Sequence, residues 1–238
     1  MGYGRMSGAR KKNDLREADD PGEYWRCTLI EVETRLRVGR GFGQNETEAA
    51  IELWRGVRRT TGMKAPPPLV SDGWGGHREA LLEVFGQTPP YSGHGRPPSK
   101  KRAGANWLYL QMVKQRENGR VVDTQMRLIY GTTDQVKARL AQHTAYVERT
   151  NLTSRHMTGR LVRKTLGFSK QVAMLRAASV WEDVVYNLTR CVKTLRVEVN
   201  DQQRRWMPRS PAMVAGLTDH IWTMEALLWC VPMSTNRL

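Results

Sequence analysis

Little in this chain suits cross-linking, secretion or membrane insertion. Its three cysteines, Cys27, Cys191 and Cys230, are far apart and show no CxxC spacing. That excludes a disulfide framework or a zinc ribbon and suits a reducing cytosol. No apolar run is long enough to span a bilayer. The Gly-rich, basic N-terminus has no apolar h-region, so no signal peptide is expected and the expected location is cytoplasmic. Acidic residues are also scarce, 23 Asp and Glu against 38 Lys and Arg, and between Arg149 and Trp181 there are none. The five histidines show no metal-ligand spacing. No Ser elbow or Cys–His arrangement supports a covalent hydrolase.

What the chain has is positive charge. A formal net charge of +15 concentrates polyanions nearby and gives salt-sensitive binding to phosphate backbones. Charge alone also fits a ribosome-associated protein or an anionic membrane surface, so it sets a class of partner and no more. With 39% hydrophobic residues in 238, the chain can build one large domain, or one domain with appendages, around a real core.

Residues 1–20 read as an irregular segment, with glycines 2, 4 and 8 before the charged stretch Lys11 to Asp20. Tyr24 to Ile30 reads as a buried strand. Arg35 to Phe42 reads as its hairpin partner, alternating Leu36 and Val38 against Arg35 and Arg37. Asn45 and Glu48 form a capping box for a helix that carries Ala50, Leu53, Trp54 and Val57 on one face and closes at Gly62. A short apolar strand, Leu69-Val70, then ends at Ser71-Asp72, and a helix through Phe85 stops at Gly86. Residues 87–105 form a Pro/Gly/Lys loop, and Trp107–Lys114 and Val121–Tyr130 form a second hairpin. From Thr133 the pattern is helical almost to the end, with a last helix over roughly residues 211–230. This order describes an α/β domain.

Asp72 stands where a buried strand meets Gly73-Trp74-Gly75-Gly76. A carboxylate there can face a crevice and bind Mg²⁺, or simply make an Asp-Gly turn. Glu148 heads a basic segment carrying Arg149, Arg155, Arg160, Arg163, Lys164 and Lys170, with Asn151 and His156 near it at helical spacing. One carboxylate among cations suits a metal-dependent phosphate enzyme, but it equally suits a solvated helix whose Glu148 complements the macrodipole. Gly39-Arg40-Gly41-Phe42-Gly43 superficially suggests a phosphate loop, yet it closes a strand and lacks the Lys-Ser/Thr ending. The aromatic and basic side chains of the long loop (Tyr91, His94, Arg96, Lys100, Lys101, Arg102, Trp107) fit a DNA path or a solvated loop. Trp222, Met224, Leu227 and Leu228 read as helix-packing residues.

The run Glu148-Arg149-Thr150-Asn151-Leu152-Thr153, then Arg155-His156, Arg160 to Thr165 and Phe168-Ser169-Lys170, resembles the C-terminal catalytic signature of insertion-sequence-one-type transposases. The resemblance extends through Gly22 to Arg26, Leu69 to Trp74 and Gly216 to His220, covering the chain from about residue 22 to 229. It implies a DDE-type DNA transposase: a ribonuclease-H-like mixed sheet flanked by helices, on which two Asp and one Glu hold two Mg²⁺ ions. By motif, Asp72 is the second acid and Glu148 the third, both catalytic and metal-binding. Arg149, Asn151, Arg155, Arg160, Arg163, Lys164 and Lys170 are the DNA-contacting set.

The resemblance further implies a catalytic domain over 21–191 with an insert at 87–131, a helical C-terminal extension over 192–238, and homo-oligomers assembled on transposon-end and target DNA. The family's first Asp lies on a first strand just before a lysine-rich turn. Lys11-Lys12 match that turn, but MGYGRMSGA before them carries no acid. The expectation is therefore a chain that begins too late for its first catalytic aspartate and is impaired for it, with residues 3–8 filling the first-strand position beside the Asp72 strand. Two alternatives stand beside this: a non-catalytic DNA-binding remnant, and a basic RNA- or ribosome-binding protein.

Overall fold

A computed structural model of the chain describes residues 2–7, 23–73, 76–118, 120–139, 144–162, 166–199 and 204–230. Arg163, Lys164, Trp74, His143 and the loop acids Asp14, Asp19 and Asp20 lie outside the described residues. The chain divides into two compact units, Met1–Ile30 with Val38–Met174, and Glu31–Arg37 with Leu175–Leu238.

The first unit is mixed α/β. It contains β1 (Gly2–Ser7), β2 (Glu23–Ile30), most of β3 (Arg37–Gly43), α1 (Glu46–Thr61), β4 (Leu69–Asp72), α2 (Gly76–Phe85), β5 (Tyr109–Glu117), β6 (Arg120–Tyr130), α3 (Thr133–Arg139) and α4 (Ala145–Met157). One sheet has the order β1-β2-β3, with β1 antiparallel to β2, so among the described residues β1 pairs with β2 and not, as expected, with the strand that carries Asp72, which belongs to the other sheet. The glycines of residues 2–7 argue for irregular chain. Pairing from Gly2 opposite Thr28 to Ser7 opposite Glu23 overrides that weak local preference. The other sheet is mixed, β4-β5-β6, with β4 parallel and β6 antiparallel to β5. No helix among the described residues is long and apolar enough to cross a membrane.

Local chemistry sets α1. Asn45 Oδ1 accepts the Glu48 N–H at 2.9 Å, and Glu48 reaches back to accept the Gln44 N–H at 2.9 Å. Gly62, at φ 69°, ends the helix by donating to the Arg58 carbonyl. Ala49, Ala50, Leu53, Trp54 and Val57 lie on the buried face of α1. They belong to the core cluster that also holds Cys27 and Leu29 of β2 and Ala80, Leu81, Val84 and Phe85 of α2. Each Val, Leu or Phe side chain among them contributes roughly 1.5–3 kcal/mol by leaving water, and each Ala less. The glycine run of β3 is a seat for this helix. A Cβ added at Gly41 would stand 2.0 Å from the Ala49 carbonyl oxygen, so only glycine lets the helix lie on the strand backbone.

The second unit is built on α5 (Val172–Thr189), which starts in the first. It continues through the two-stranded hairpin β7 (Val197–Glu198) and β8 (Trp206–Met207), then α6 (Pro211–Val214) and α7 (Met224–Trp229). The sequence pattern leads to the expectation of a helical extension over 192–238, with one last helix across roughly residues 211–230. Instead, Gly216 at φ 71° closes α6, with Gly216 donating to the Met213 carbonyl and Leu217 to the Ala212 carbonyl, a Schellman arrangement that stops the helix. Of the expected packing residues, Leu227 is buried, while Leu228 is 71% exposed.

The alternation read for residues 35–38 is reversed at its centre: Arg37 is buried and Val38 exposed. Arg37 Nη1 donates to Glu182 Oε1 at 2.5 Å and to Asp183 Oδ1 at 3.1 Å, and its guanidinium lies 3.9 Å over the Tyr186 ring. Asn187 holds the Arg37 backbone from both sides, accepting its N–H at 2.9 Å and donating to its carbonyl at 3.0 Å. A hydrophobic period cannot foresee partners supplied from so far along the chain.

Candidate functional site

Asp72 is the last residue of β4, opposite Met112 of β5. Its strand alternates: Leu69 and Ser71 are buried, whereas Val70 and Asp72 are half-buried. Below the strand, Ser71 Oγ and Tyr109 OH are 2.9 Å apart, and Gln111 Nε2 donates to the same phenol oxygen at 2.9 Å. Burial pushes the Tyr109 hydroxyl up to about 12 against those bonds, with the Asp72 and Tyr130 charges adding to the rise. Tyr109 is thus a neutral hydrogen-bonding strut, and it fixes β4 to β5.

Glu148 lies in the first turn of α4, which packs on β1 and β2 through a face that buries Val147, Thr150 and Ser154. Its carboxylate is turned to β5. Lys114 Nζ donates to Glu148 Oε1, and Thr144 Oγ1 donates to the same oxygen at 2.8 Å. Partial burial pushes this carboxyl up, but the Lys114 and Thr144 hydrogen bonds and the Lys114 charge outweigh it and hold it below the usual glutamate range.

The two motif acids therefore meet the same strand. Directly paired residues share a sheet face, as do residues two apart on one strand. Asp72, Met112 and Lys114 thus lie on one face, with the Lys114 Cα about 8 Å from that of Asp72 by ordinary strand spacing. Glu148 reaches that face through Lys114.

A third carboxylate, missed from sequence, stands near. Burial, and after it the charge of Asp72, hold Glu46 of α1 above the usual glutamate range. In sequence Glu46 is only a first-turn acid, and nothing local links it to Asp72. Among the described residues, no group of three or more His, Cys, Asp or Glu side chains could hold a metal ion.

Of the residues expected to contact DNA, Arg149, Arg160 and Lys170 are exposed, and Asn151 and Arg155 are half-buried. Arg149, Asn151 and Arg155 belong to α4, Arg160 to the 3₁₀ turn Gly159–Leu161, and Arg160 Nη1 donates to Ser169 Oγ at 3.3 Å. In the long loop Tyr91, His94, Arg96, Lys100, Lys101 and Arg102 are exposed, whereas Trp107 is buried, packed edge-on to Tyr130 at 5.4 Å. His77 is fully buried on α2, and burial pushes it down to about 3, so it is neutral at physiological pH. In comparisons with known proteins, no family model, curated protein or solved structure matches the chain.

Proposed function

We propose that the chain is the catalytic region of an insertion-sequence-one-type DDE transposase on a ribonuclease-H-like sheet, acting on DNA by metal-dependent phosphodiester hydrolysis and strand transfer. One observation carries the reading. Asp72, singled out by the motif, ends β4 opposite Met112 of β5, and Lys114, two residues further along β5, donates to the other motif acid, Glu148 of α4.

The donor set suits a hard cation: two carboxylates fit Mg²⁺, which keeps waters and substrate phosphates as its remaining ligands. Asp72 and Glu148 would hold the ion, which when bound supplies polarisation of the phosphodiester and activation of the attacking hydroxyl. The chain's own groups do the rest. Thr144 orients Glu148, and Lys114 balances its charge in the metal-free protein. Arg149, Asn151, Arg155, Arg160 and Lys170, with Arg163 and Lys164, grip backbone phosphates as copies assemble on DNA. The sequence of β1, GYGRMS, offers no third carboxylate, which favours the second reading of a non-catalytic DNA-binding protein.

DNA binding is tested by titration against salt. If Arg149, Arg155, Arg160, Arg163, Lys164 and Lys170 each neutralise a phosphate, log K falls with log salt at a slope of about −5.4, roughly 1,800-fold between ~50 and ~200 mM. Mg²⁺ binding followed by calorimetry is expected in the parent and lost in Asp72→Asn and in Glu148→Gln. Salt-independent binding, or Mg²⁺ affinity indifferent to both substitutions, contradicts the proposal. Mg²⁺-dependent cleavage of DNA separates the transposase from the non-cleaving reading.

A further inference from the structure

We infer that β6 is the pairing edge of a two-fold dimer, in which it runs antiparallel to β6 of a second copy about Gln125. Among the described residues β6 ends the β4-β5-β6 sheet, and an edge strand presents a row of backbone donors and acceptors to any strand that fits. From Asp123 to Leu128 it pairs with Gln115 to Leu110 of β5 without a register shift, so this stretch of edge is regular. The shifts at either end, between Gln115 and Arg116 and between Tyr109 and Leu110, confine the pairing to that stretch. Apolar side chains stand out along it: Met126 is 53% exposed and Leu128 39%.

Charge complementarity identifies the occupant. With Gln125 opposite itself, Asp123 of each copy faces Arg127 of the other, and Thr124 faces Met126. The two Asp–Arg pairs flank the axis on one face of the joined sheet, and the apolar groups meet on the other. A one-residue slip sets Asp123 against Leu128, and a two-residue slip in either direction loses both ion pairs, so a single register satisfies the edge. Asp123 Oδ1 accepts only its neighbour's N–H, from Thr124 at 2.7 Å, and neither Asp123 nor Arg127 is ion-paired within its own chain among the described residues. Directly opposite residues in antiparallel strands alternate between bonded and non-bonded pairs, so either set of outward amides suits this axis. The contact is isologous, so it closes at two copies. It does not depend on the transposase reading.

Light scattering after size exclusion tests the dimer. The measurement is made at about 0.15 M salt, where a Debye length of about 8 Å screens the long-range repulsion between two basic chains. The parent is expected at twice the 27.2 kDa chain mass. Asp123→Arg alone and Arg127→Asp alone each place like charges opposite and are expected at the single mass. Mixed in equal amounts, these two variants return to the double mass, because one copy then carries two arginines and the other two aspartates. The combined swap Asp123→Arg with Arg127→Asp also dimerises. In a Cys191→Ser, Cys230→Ser background, Gln125→Cys oxidises to a linked dimer. A monomeric parent, single variants that stay dimeric, a mixture that stays monomeric, or no cross-link at position 125 each overturns the inference.

Discussion

Replacing Arg37 by Met removes a charge that two carboxylates, a phenol ring and an amide are built around. The side chains of Arg37, Glu182 and Asp183 are 0%, 2% and 3% exposed, so no water replaces the lost guanidinium. Breaking a buried ion pair from one side costs about 3–5 kcal/mol, since the remaining charge stays buried and unpaired. Here two buried carboxylates lose their guanidinium partner at once. In a chain of this size a loss of about 3–5 kcal/mol lowers the melting temperature by roughly 6–20 °C. Urea denaturation gives the free energy, and hydrogen exchange should show the opening concentrated in α5. Adding Glu182→Gln and Asp183→Asn to Arg37→Met removes the stranded charges and should recover most of the loss. If Arg37→Met costs less than about 1 kcal/mol, the range of an exposed pair, the reasoning is refuted. A triple variant no better than the single one refutes it equally.

His77 is expected to give the protein a measurable acid sensitivity. Its folded value of about 3 lies below the ordinary 6.5, so its stabilising contribution is complete above pH 6.5 and is lost as pH falls towards 3. The slope is on the order of 1.4 kcal/mol per pH unit within that window. His77→Leu should abolish the slope between pH 6.5 and 5, and an unchanged slope would falsify the assignment. Gly56 sits inside α1 with no atom within 4 Å of an added Cβ, so Gly56→Ala should raise stability by about 0.5–1 kcal/mol in urea titrations. No gain would mean that the helix there is not in open space. Lys114→Met should move the Glu148 titration upward in a carbon-detected NMR pH series, because burial is then opposed mainly by Thr144. Glu148 is held low in the folded chain, so the Lys114 pair contributes above the ordinary carboxylate range and fades as pH drops through the depressed value. A midpoint indifferent to Lys114 contradicts the pairing.

The features legible in sequence were those written within a few residues. Asn45 with Glu48, and Gly62 at the far end, bound α1 because caps are local hydrogen bonds. Asp72 at a strand end was also local. Gly216 was visible too, but the apolar spacing of Val214, Leu217 and Ile221 masked it, and the period was carried through a residue whose positive φ ends the helix. The strands β7 and β8 are two residues each, too short for any period to register, and rest on the Arg205–Glu198 ion pair and on Arg196 over Trp206. What could not be read was everything set by distant partners: the burial of Arg37, the Lys114 contact to Glu148, and the proximity of Glu46 to Asp72. The glycine run of β3 was legible as glycine, but its use as a helix seat needed the helix.

The Arg37 clamp also imposes an order on folding. The β3–α1 seat joins residues as close in sequence as Gly41 and Ala49, whereas Arg37 and Glu182 are 145 positions apart. Closing the larger loop costs about 2.6 kcal/mol more in chain entropy, so the seat forms early and the clamp late. On the ribosome the gap becomes a delay. At about 5–20 residues per second, Arg37 waits roughly 7–29 s for Glu182 to be synthesised. Throughout that interval the turn at Glu31–Arg37 carries a guanidinium whose folded position has not yet been made, and water must solvate it in the meantime.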